Sequence, residues 1–181
     1  MKQQKDWEKQ KYTTYVKTGD VYCLFYERGI QLLHEKGILT FITSNKWMRA
    51  GYGEVLRNFF AERTNPLVLV DFSGQKIFES ATVDVNILII EKARNKNSTK
   101  SCVITDALSI NNLSVFIEQH SNVNSFSINK SWSILSGIEE RIKNKIEEAG
   151  VPLRDWNIQI NYGIKTGLNE AFIISGEKKE K

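Results

Sequence analysis

The sequence predicts an α/β fold with a mixed sheet, because short apolar runs typical of buried strands alternate with helix-patterned segments. The runs at 38–43 (ILTFIT) and 67–72 (LVLVDF) are separated by enough chain for a right-handed parallel crossover. A third run, 83–91, begins only about ten residues later, fewer than the dozen or more that a parallel connection needs. We therefore expect 83–91 to lie antiparallel to 67–72.

The first helix is expected in the chain that precedes the first strand. Asp20 is its candidate N-cap, and Gly37 is expected to end it in a left-handed conformation. Helical spacing predicts a core-facing stripe that consists of Val21, Leu24, Phe25, Leu32 and Leu33. Tyr22, Tyr26 and Ile30 widen this apolar face.

The remaining elements follow from the same patterns. A second helix is predicted over 52–62, with Val55, Leu56, Phe59 and Phe60 as its core face, and Pro66 prevents its continuation. Farther along the chain we expect a strand at 102–107, helices at 113–119 and 137–149, and a strand at 170–175.

The composition is that of one ordinary folded domain. The chain has 181 residues, of which 41% are hydrophobic and 25% are charged, so it can bury a core and is not a disordered tail. The net charge of +4 permits a polyanionic partner without requiring one. Lysine is concentrated in the first 17 residues, and a second basic cluster contains Lys92, Arg94, Lys96 and Lys100. Such clusters are most often solvated faces.

Several kinds of protein and of site are excluded. No apolar run approaches the ~20 residues of a membrane helix, and Cys23 and Cys102 match no metal or redox spacing, which indicates a reducing, cytoplasmic location. His34 and His120 are the only histidines, so neither a metal cluster nor a Ser/His/Asp set is predicted. Gly51-Tyr52-Gly53 lacks the third glycine of a dinucleotide-binding loop.

Three segments, in this order along the chain, carry a family resemblance: residues 19–47, residues 78–88 (FESATVDVNIL) and residues 161–172 (NYGIKTGLNEAF). Together they resemble the adenine-specific DNA methyltransferases of type IIS and IIG restriction–modification enzymes, over roughly residues 18–175. The resemblance implies a partial Rossmann-like, S-adenosylmethionine-dependent methyltransferase fold. In that fold the third predicted strand is inserted antiparallel between the first two.

The resemblance also implies a domain organisation and a function. Residues 1–18 would be a basic leader, 19–150 the C-terminal part of the catalytic domain, and 151–181 a linker with the start of the target-recognition domain. The parent enzyme would transfer a methyl group from S-adenosylmethionine to the N6 amino group of an adenine flipped out of double-stranded DNA.

Residue roles are carried over from the family. Phe25 would line the adenine pocket of the cofactor, and Phe78 would stack on the flipped base. Asn45, Lys46 and Trp47 would line a DNA-facing cleft, because they follow the carboxyl end of the first strand. The predicted contacts to the DNA backbone come from Lys165, Thr166 and Asn169. For three of these assignments there is an equally good structural interpretation. Phe25 could pack in the core, Trp47 could cap the edge of the sheet, and residues 163–167 could form a plain turn between strands.

Two motifs of the family are absent from these 181 residues. They contain no cofactor-binding glycine loop and no Asn-Pro-Pro-Tyr, since Pro66 and Pro152 are the only prolines. We therefore expect the isolated chain to be inactive and not to bind S-adenosylmethionine. A non-catalytic DNA-binding or interaction module is the alternative function, favoured by the two basic clusters.

If the chain is only the C-terminal part of the catalytic domain, strand 38–43 is left as an unpaired, apolar edge of the sheet. Such an edge tends to pair with another strand. We expect this edge to form a homodimer, or to be covered by residues 1–18 or 101–107.

Overall fold

The structure is a computed structural model, and it describes residues 12–79, 83–105 and 112–159. The chain forms two compact units, Met1–Arg141 and Ile142–Lys181. The helices are α1 (Tyr22–Leu32), α2 (Glu54–Arg63), α3 (Leu113–His120) and α4 (Gly137–Ala149). The strands are β1 (Ile38–Ser44), β2 (Asn65–Asp71), β3 (Val85–Glu91), β4 (Thr99–Val103) and β5 (Asn122–Asn124). Short 3₁₀ turns lie at Asn45–Met48, Gly51–Gly53 and Leu153–Asp155.

The five strands form one mixed sheet in the order β1-β3-β2-β4-β5. Strand β3 is antiparallel to both of its neighbours, with Leu88 opposite Phe41 of β1 and Leu69 of β2. Strand β4 is parallel to β2, and β5 is antiparallel to β4. The α/β class, the mixed sheet and the position of β3 between β1 and β2 are confirmed.

Two predicted strands begin earlier than the sequence indicated. Strand β2 starts at Asn65, so Pro66 lies within it, at a register shift between Pro66 and Val68. Such an irregularity accommodates a residue that has no N–H to donate, and the Pro66 carbonyl accepts a hydrogen bond from Thr99 Oγ1 at 2.9 Å. Strand β4 covers 99–103 instead of 102–107.

Helix α1 differs from its prediction at both ends. Val21, not Asp20, occupies the N-cap position, and the helix ends before Leu33. The left-handed residue is Lys36, with φ 65°, and not Gly37. Gly37 is needed for space instead, because a Cβ there would lie 2.9 Å from the carbonyl oxygen of His34.

The buried face of α1 is also rotated from the predicted stripe. Its buried residues are Cys23, Leu24, Tyr26, Glu27 and Ile30, whereas Phe25 is 58% exposed and Leu32 is 70% exposed. The ring of Tyr26 packs against Phe41 and Phe60, with centroids 5.1 and 5.0 Å away. Aromatic packing therefore selects the face that the prediction treated as a flank.

The sheet separates two hydrophobic clusters. The larger one contains side chains of α1, α2, β2 and β3 together with Trp47 and Trp132. The smaller one contains Val70, Val85 and Cys102, against which Phe116 and Ile117 of α3 pack. Helix α4 is exposed along its length. It begins with a reciprocal cap, in which Ser136 N donates to Glu139 Oε2 at 2.8 Å and Glu139 N donates to Ser136 Oγ at 3.3 Å.

Strand β1 is an edge of the sheet among the strands within 12–79, 83–105 and 112–159, where it pairs with β3 alone. The expectation that 101–107 covers this edge is wrong, because Ser101 to Val103 pair with β2 instead. In the same ranges, no helix has the length and apolar character needed to cross a membrane.

Candidate functional site

The candidate site lies at the carboxyl ends of β1 and β2, beside the start of β3. Open α/β sheets bind ligands at this edge. Asp84 connects the two loops that emerge here: its carbonyl oxygen accepts from Asn45 N at 3.0 Å, and its Oδ1 accepts from Gly74 N at 3.1 Å. Gly74 has φ +78°, a conformation that favours glycine. We call residues 44–49 the first loop and residues 72–79 the second loop.

The first loop is a 3₁₀ turn that exposes two cations. Ser44 Oγ accepts from Lys46 N at 3.3 Å and so caps the turn. The Arg49 N–H then donates to the Lys46 carbonyl at 3.2 Å. Lys46 lies in the turn and Arg49 ends it, and both side chains are exposed. The turn therefore presents two positive charges at the strand ends.

Trp47 lies beneath this turn and not on its surface. Its side chain is fully buried, with its ring 5.3 Å from both Phe60 and Trp132. The indole Nε1 donates to Asn86 Oδ1 at 3.1 Å. The prediction that Trp47 lines an open cleft is therefore corrected, because a ring surrounded by other aromatic residues supports the cleft from below.

Asp71 is a buried carboxylate at the end of β2. Its Oδ1 accepts from Asn45 Nδ2 at 2.8 Å. Its Oδ2 lies 3.7 Å from Arg49 Nη2 and has no hydrogen-bond partner among the described residues. Burial raises the pKa of the Asp71 carboxyl, while Asn45 and Arg49 act in the opposite direction. Asn86 of β3 lies opposite Asp71 in the strand register, so a polar pair lies under the first loop.

Arg57 holds the first loop from helix α2. Its Nη1 donates to the carbonyl oxygens of Trp47 at 2.6 Å and Ala50 at 2.9 Å, and its Nε donates to Lys130 O at 2.9 Å. Burial lowers the pKa of this guanidinium. Sequence reasoning missed Arg57, because a lone arginine on an amphipathic helix is typical of a solvated face.

Phe78 is an exposed aromatic residue in the second loop. Its side chain is 42% exposed, whereas the neighbouring Ile77 packs against the smaller hydrophobic cluster. Lys76, two residues earlier, is also exposed. The second loop therefore presents a ring face and a cation next to the strand ends.

The other predicted residues do not belong to the first or the second loop. Phe25 is on the exposed side of α1, while Lys165, Thr166 and Asn169 lie outside the described residues. The basic segment 92–100 follows the last residue of β3, so it lies at the opposite edge of the sheet from the first loop. The two groups of cations cannot form one surface.

Comparisons with known proteins bear on this site. Residues 1–78 match the family model described as the Eco57I restriction-modification methylase. The Escherichia coli type II restriction enzyme and methyltransferase RM.Eco57I is 33% identical over 89 residues, which are 49% of this chain and 9% of that protein. The Pseudomonas aeruginosa type II methyltransferase M.PaeR7I is 23% identical over 177 residues, which are 91% of this chain and 31% of that protein.

The chain thus spans less than a third of the length of either relative. Among solved structures, the type IIG restriction endonuclease BpuSI matches 74% of this chain and 16% of its own, with 14% identity and a TM-score of 0.49. A modification subunit of a putative type I restriction enzyme from Vibrio vulnificus matches 64% of this chain and 32% of its own, with 9% identity and a TM-score of 0.49. The family model and the curated relatives confirm the predicted resemblance to restriction–modification methyltransferases.

Proposed function

We propose that this chain, a relative of the restriction–modification methyltransferases, is part of the catalytic domain of a site-specific DNA methyltransferase. The reaction proposed for the larger protein is transfer of a methyl group from S-adenosylmethionine to the N6 amino group of an adenine flipped out of double-stranded DNA. The chain would supply a DNA-facing edge of the catalytic sheet.

The exposed ring of Phe78 carries this proposal. An adenine that leaves the duplex loses its stacking on both sides. Stacking on an aromatic side chain restores about 1–3 kcal/mol per base. Phe78 is exposed in the second loop, and the bond from Gly74 to Asp84 holds that loop beside the first one. A stacking face and exposed cations therefore lie at the same edge of the sheet.

The cavity beside Phe25 is too small to hold S-adenosylmethionine by itself. Phe25 is 58% exposed, and the cavity lined by its neighbours Asp20, Val21 and Leu24 has a volume of only ≈ 20 Å³. Small-molecule pockets usually have volumes of about 300 Å³ or more. We therefore assign Phe25 at most one wall of a cofactor pocket, and we derive no step through the cofactor.

The isolated chain is expected to be catalytically inactive, because its 181 residues contain neither the glycine loop nor Asn-Pro-Pro-Tyr. The check is incubation of the purified chain with tritiated S-adenosylmethionine and double-stranded DNA. We expect no label in the DNA, and methylation by the isolated chain would overturn this part of the proposal.

The stacking role is tested with single-stranded oligonucleotides that contain 2-aminopurine, whose fluorescence decreases when it stacks. The wild-type chain and Phe78→Trp should quench the probe, whereas Phe78→Ala should not. Phe25→Ala removes another exposed phenyl ring, which is 58% exposed on α1, and should quench like wild type. Equal quenching by wild type and Phe78→Ala would contradict the stacking role.

A second candidate function is non-catalytic DNA binding through the basic segment 92–100. Arg94, Lys96 and Lys100 are exposed there, at the opposite edge from Phe78. Under this alternative, Lys96→Gln and Lys100→Gln would weaken a salt-sensitive mobility shift. Substitutions at Lys46 would leave that shift unchanged.

A further inference from the structure

We infer that Arg49 contacts a DNA phosphate at the carboxyl ends of β1 and β2, and that Asp71 is the positioning residue that holds Arg49 there. The inference rests on the proposed function, since it takes double-stranded DNA as the partner. Neither residue belongs to the predicted cleft of Asn45, Lys46 and Trp47.

Arg49 has the exposure and the free donors that a phosphate contact needs. Its side chain is 61% exposed, and its Nη2 lies 3.7 Å from Asp71 Oδ2. That distance is an ion pair and is too long for a hydrogen bond. The pair therefore directs the guanidinium while leaving its N–H donors available. A guanidinium fork matches the oxygens of a phosphate better than an ammonium group does.

The first loop carries a second exposed cation. Lys46 lies within the 3₁₀ turn, and Arg49 is the residue that ends it. The turn is fixed from below, since Arg57 binds the carbonyls of Trp47 and Ala50. A fixed loop with two exposed cations suits a polyanion, whose backbone contacts are made mainly by Lys and Arg.

Asp71 has the properties of an anchor and not of a DNA contact. Its side chain is 1% exposed, so it cannot reach a phosphate itself. Asn45 Nδ2 fixes its Oδ1 at 2.8 Å, which leaves Oδ2 directed toward Arg49. Burial of an incompletely paired carboxylate opposes folding, so stability alone gives no reason for a charge at this position. The need to orient Arg49 gives a reason for a carboxylate at position 71.

The test measures binding of the 181-residue chain to a fluorescent, mixed-sequence DNA duplex by anisotropy at several salt concentrations. Arg49→Gln should weaken binding several-fold and reduce the slope of log K against log [salt] by about 0.9, the value for one lost phosphate contact. Arg49→Lys should retain the slope and lose part of the affinity. Arg28→Gln, which removes a charge from another exposed arginine, should change the slope less than Arg49→Gln does.

Asp71→Asn separates positioning from simple electrostatics. It removes a negative charge, so Coulomb attraction alone predicts tighter binding to DNA. If Asp71 positions Arg49, Asp71→Asn instead weakens binding, and it has no further effect in the Arg49→Gln background. The substitution should leave the thermal unfolding midpoint unchanged or raise it, because burial already disfavours the charged carboxyl.

The outcomes are distinguishable. Wild-type binding with an Arg49→Gln slope equal to that of Arg28→Gln would overturn the inference and leave the proposed function standing. Tighter binding by folded Asp71→Asn would overturn the positioning role. A wild-type chain that does not bind duplex DNA at low salt would overturn the proposed partner and the inference together.

Discussion

The indole Nε1 of Trp47 donates a hydrogen bond to Asn86 Oδ1, 3.1 Å away, in the core beneath the strand ends. Thr43 Oγ1 donates to the same oxygen at 3.3 Å, so one buried amide connects β1, the first loop and β3. Asn86→Ala would leave the buried Trp47 N–H without an acceptor, and it would remove one of the two partners of Thr43 Oγ1, which also bonds Tyr26 OH at 3.1 Å. We expect it to lower the free energy of unfolding by about 2–3 kcal/mol.

Urea denaturation followed by tryptophan fluorescence measures this loss. The matched control is Asn58→Ala, because Asn58 Nδ2 donates to Asn129 at 3.0 Å on the exposed side of α2. The control should cost less than about 1 kcal/mol. Equal losses for the two variants would show that the Trp47–Asn86 bond does not hold the loop.

The buried carboxylate of Glu27 attaches the segment before α1 to that helix. Its Oε2 accepts from Thr14 N and from Thr14 Oγ1, both at 2.8 Å, while its Oε1 accepts from Thr13 N at 3.1 Å. Glu27→Gln replaces one acceptor oxygen with an amide donor that faces an N–H group. We expect a loss of about 2 kcal/mol in unfolding free energy.

Limited proteolysis provides a second measure of that attachment, since cleavage at Lys17 should become faster in Glu27→Gln. The exposed Glu62 supplies the matched control, Glu62→Gln, which should leave both the unfolding curve and the cleavage rate as in wild type. Unchanged cleavage at Lys17 in Glu27→Gln would contradict the predicted role of Glu27.

Arg57 stabilises the fold through three backbone carbonyls, of Trp47, Ala50 and Lys130. Arg57→Met keeps most of the side-chain volume and removes every donor. We expect the unfolding free energy to fall by about 3 kcal/mol, because buried carbonyls then lack partners. Arg63→Met, on the exposed last turn of the same helix, should stay within about 0.5 kcal/mol of wild type. A similar loss of unfolding free energy at both positions would refute the stabilising role of Arg57.

The two cysteine thiols should be unreactive in the folded chain. Cys23 is 2% exposed, and burial raises its pKa to about 12. Burial also raises the pKa of Cys102. Because the thiolate is the reactive species, Ellman's reagent at pH 8 should label neither thiol until guanidinium unfolds the chain. Rapid labelling of the native chain would be the contrary result.

The raised pKa of Cys23 also predicts how stability depends on pH. The unfolded thiol ionises at about pH 8.5, whereas the folded thiol stays protonated until about pH 12. The stabilisation is therefore complete below about pH 8.5 and is lost as pH rises toward 12. Cys23→Ala should show a smaller decline in unfolding free energy between pH 8 and pH 10.

We propose that the edge of β1 pairs with a second copy of the chain. Ile38 and Ile42 are 50% and 44% exposed on this edge strand, and unpaired strand edges associate readily. Light scattering should show a mass that rises with concentration above the 20.8 kDa of one chain. Ile42→Lys should reduce this association. Val123→Lys, on the opposite edge strand β5, should not, and the reverse pattern would place the interface elsewhere.

The three buried strands and the antiparallel pairing of β3 with β2 were predictable because they depend on local properties. The apolar runs at 38–43, 67–72 and 83–91 indicated buried strands, and the short connection before 83–91 required an antiparallel neighbour. The structure confirms both features. Helix α4 has the predicted bounds, 137–149, for the same reason.

The buried face of α1 was less predictable. Helical spacing accommodates either Phe25 or Tyr26 on the buried side. The choice depends on Phe41 and Phe60, whose rings pack on Tyr26. Those partners lie in other elements of the chain, so the sequence of α1 alone does not contain the answer.

The sequence by itself determined the α/β class and the antiparallel pairing of β3 with β2, because both depend on the order and spacing of residues. The family resemblance implied that β3 lies between β1 and β2. Only the tertiary structure decided which side chains of the first loop face solvent. Trp47 is buried because Asn86, 39 positions away, accepts its N–H. Arg57 is buried because Lys130, 73 positions away, accepts from its guanidinium. Contacts between residues so far apart arise from packing, and packing left Lys46 and Arg49 at the surface of the site.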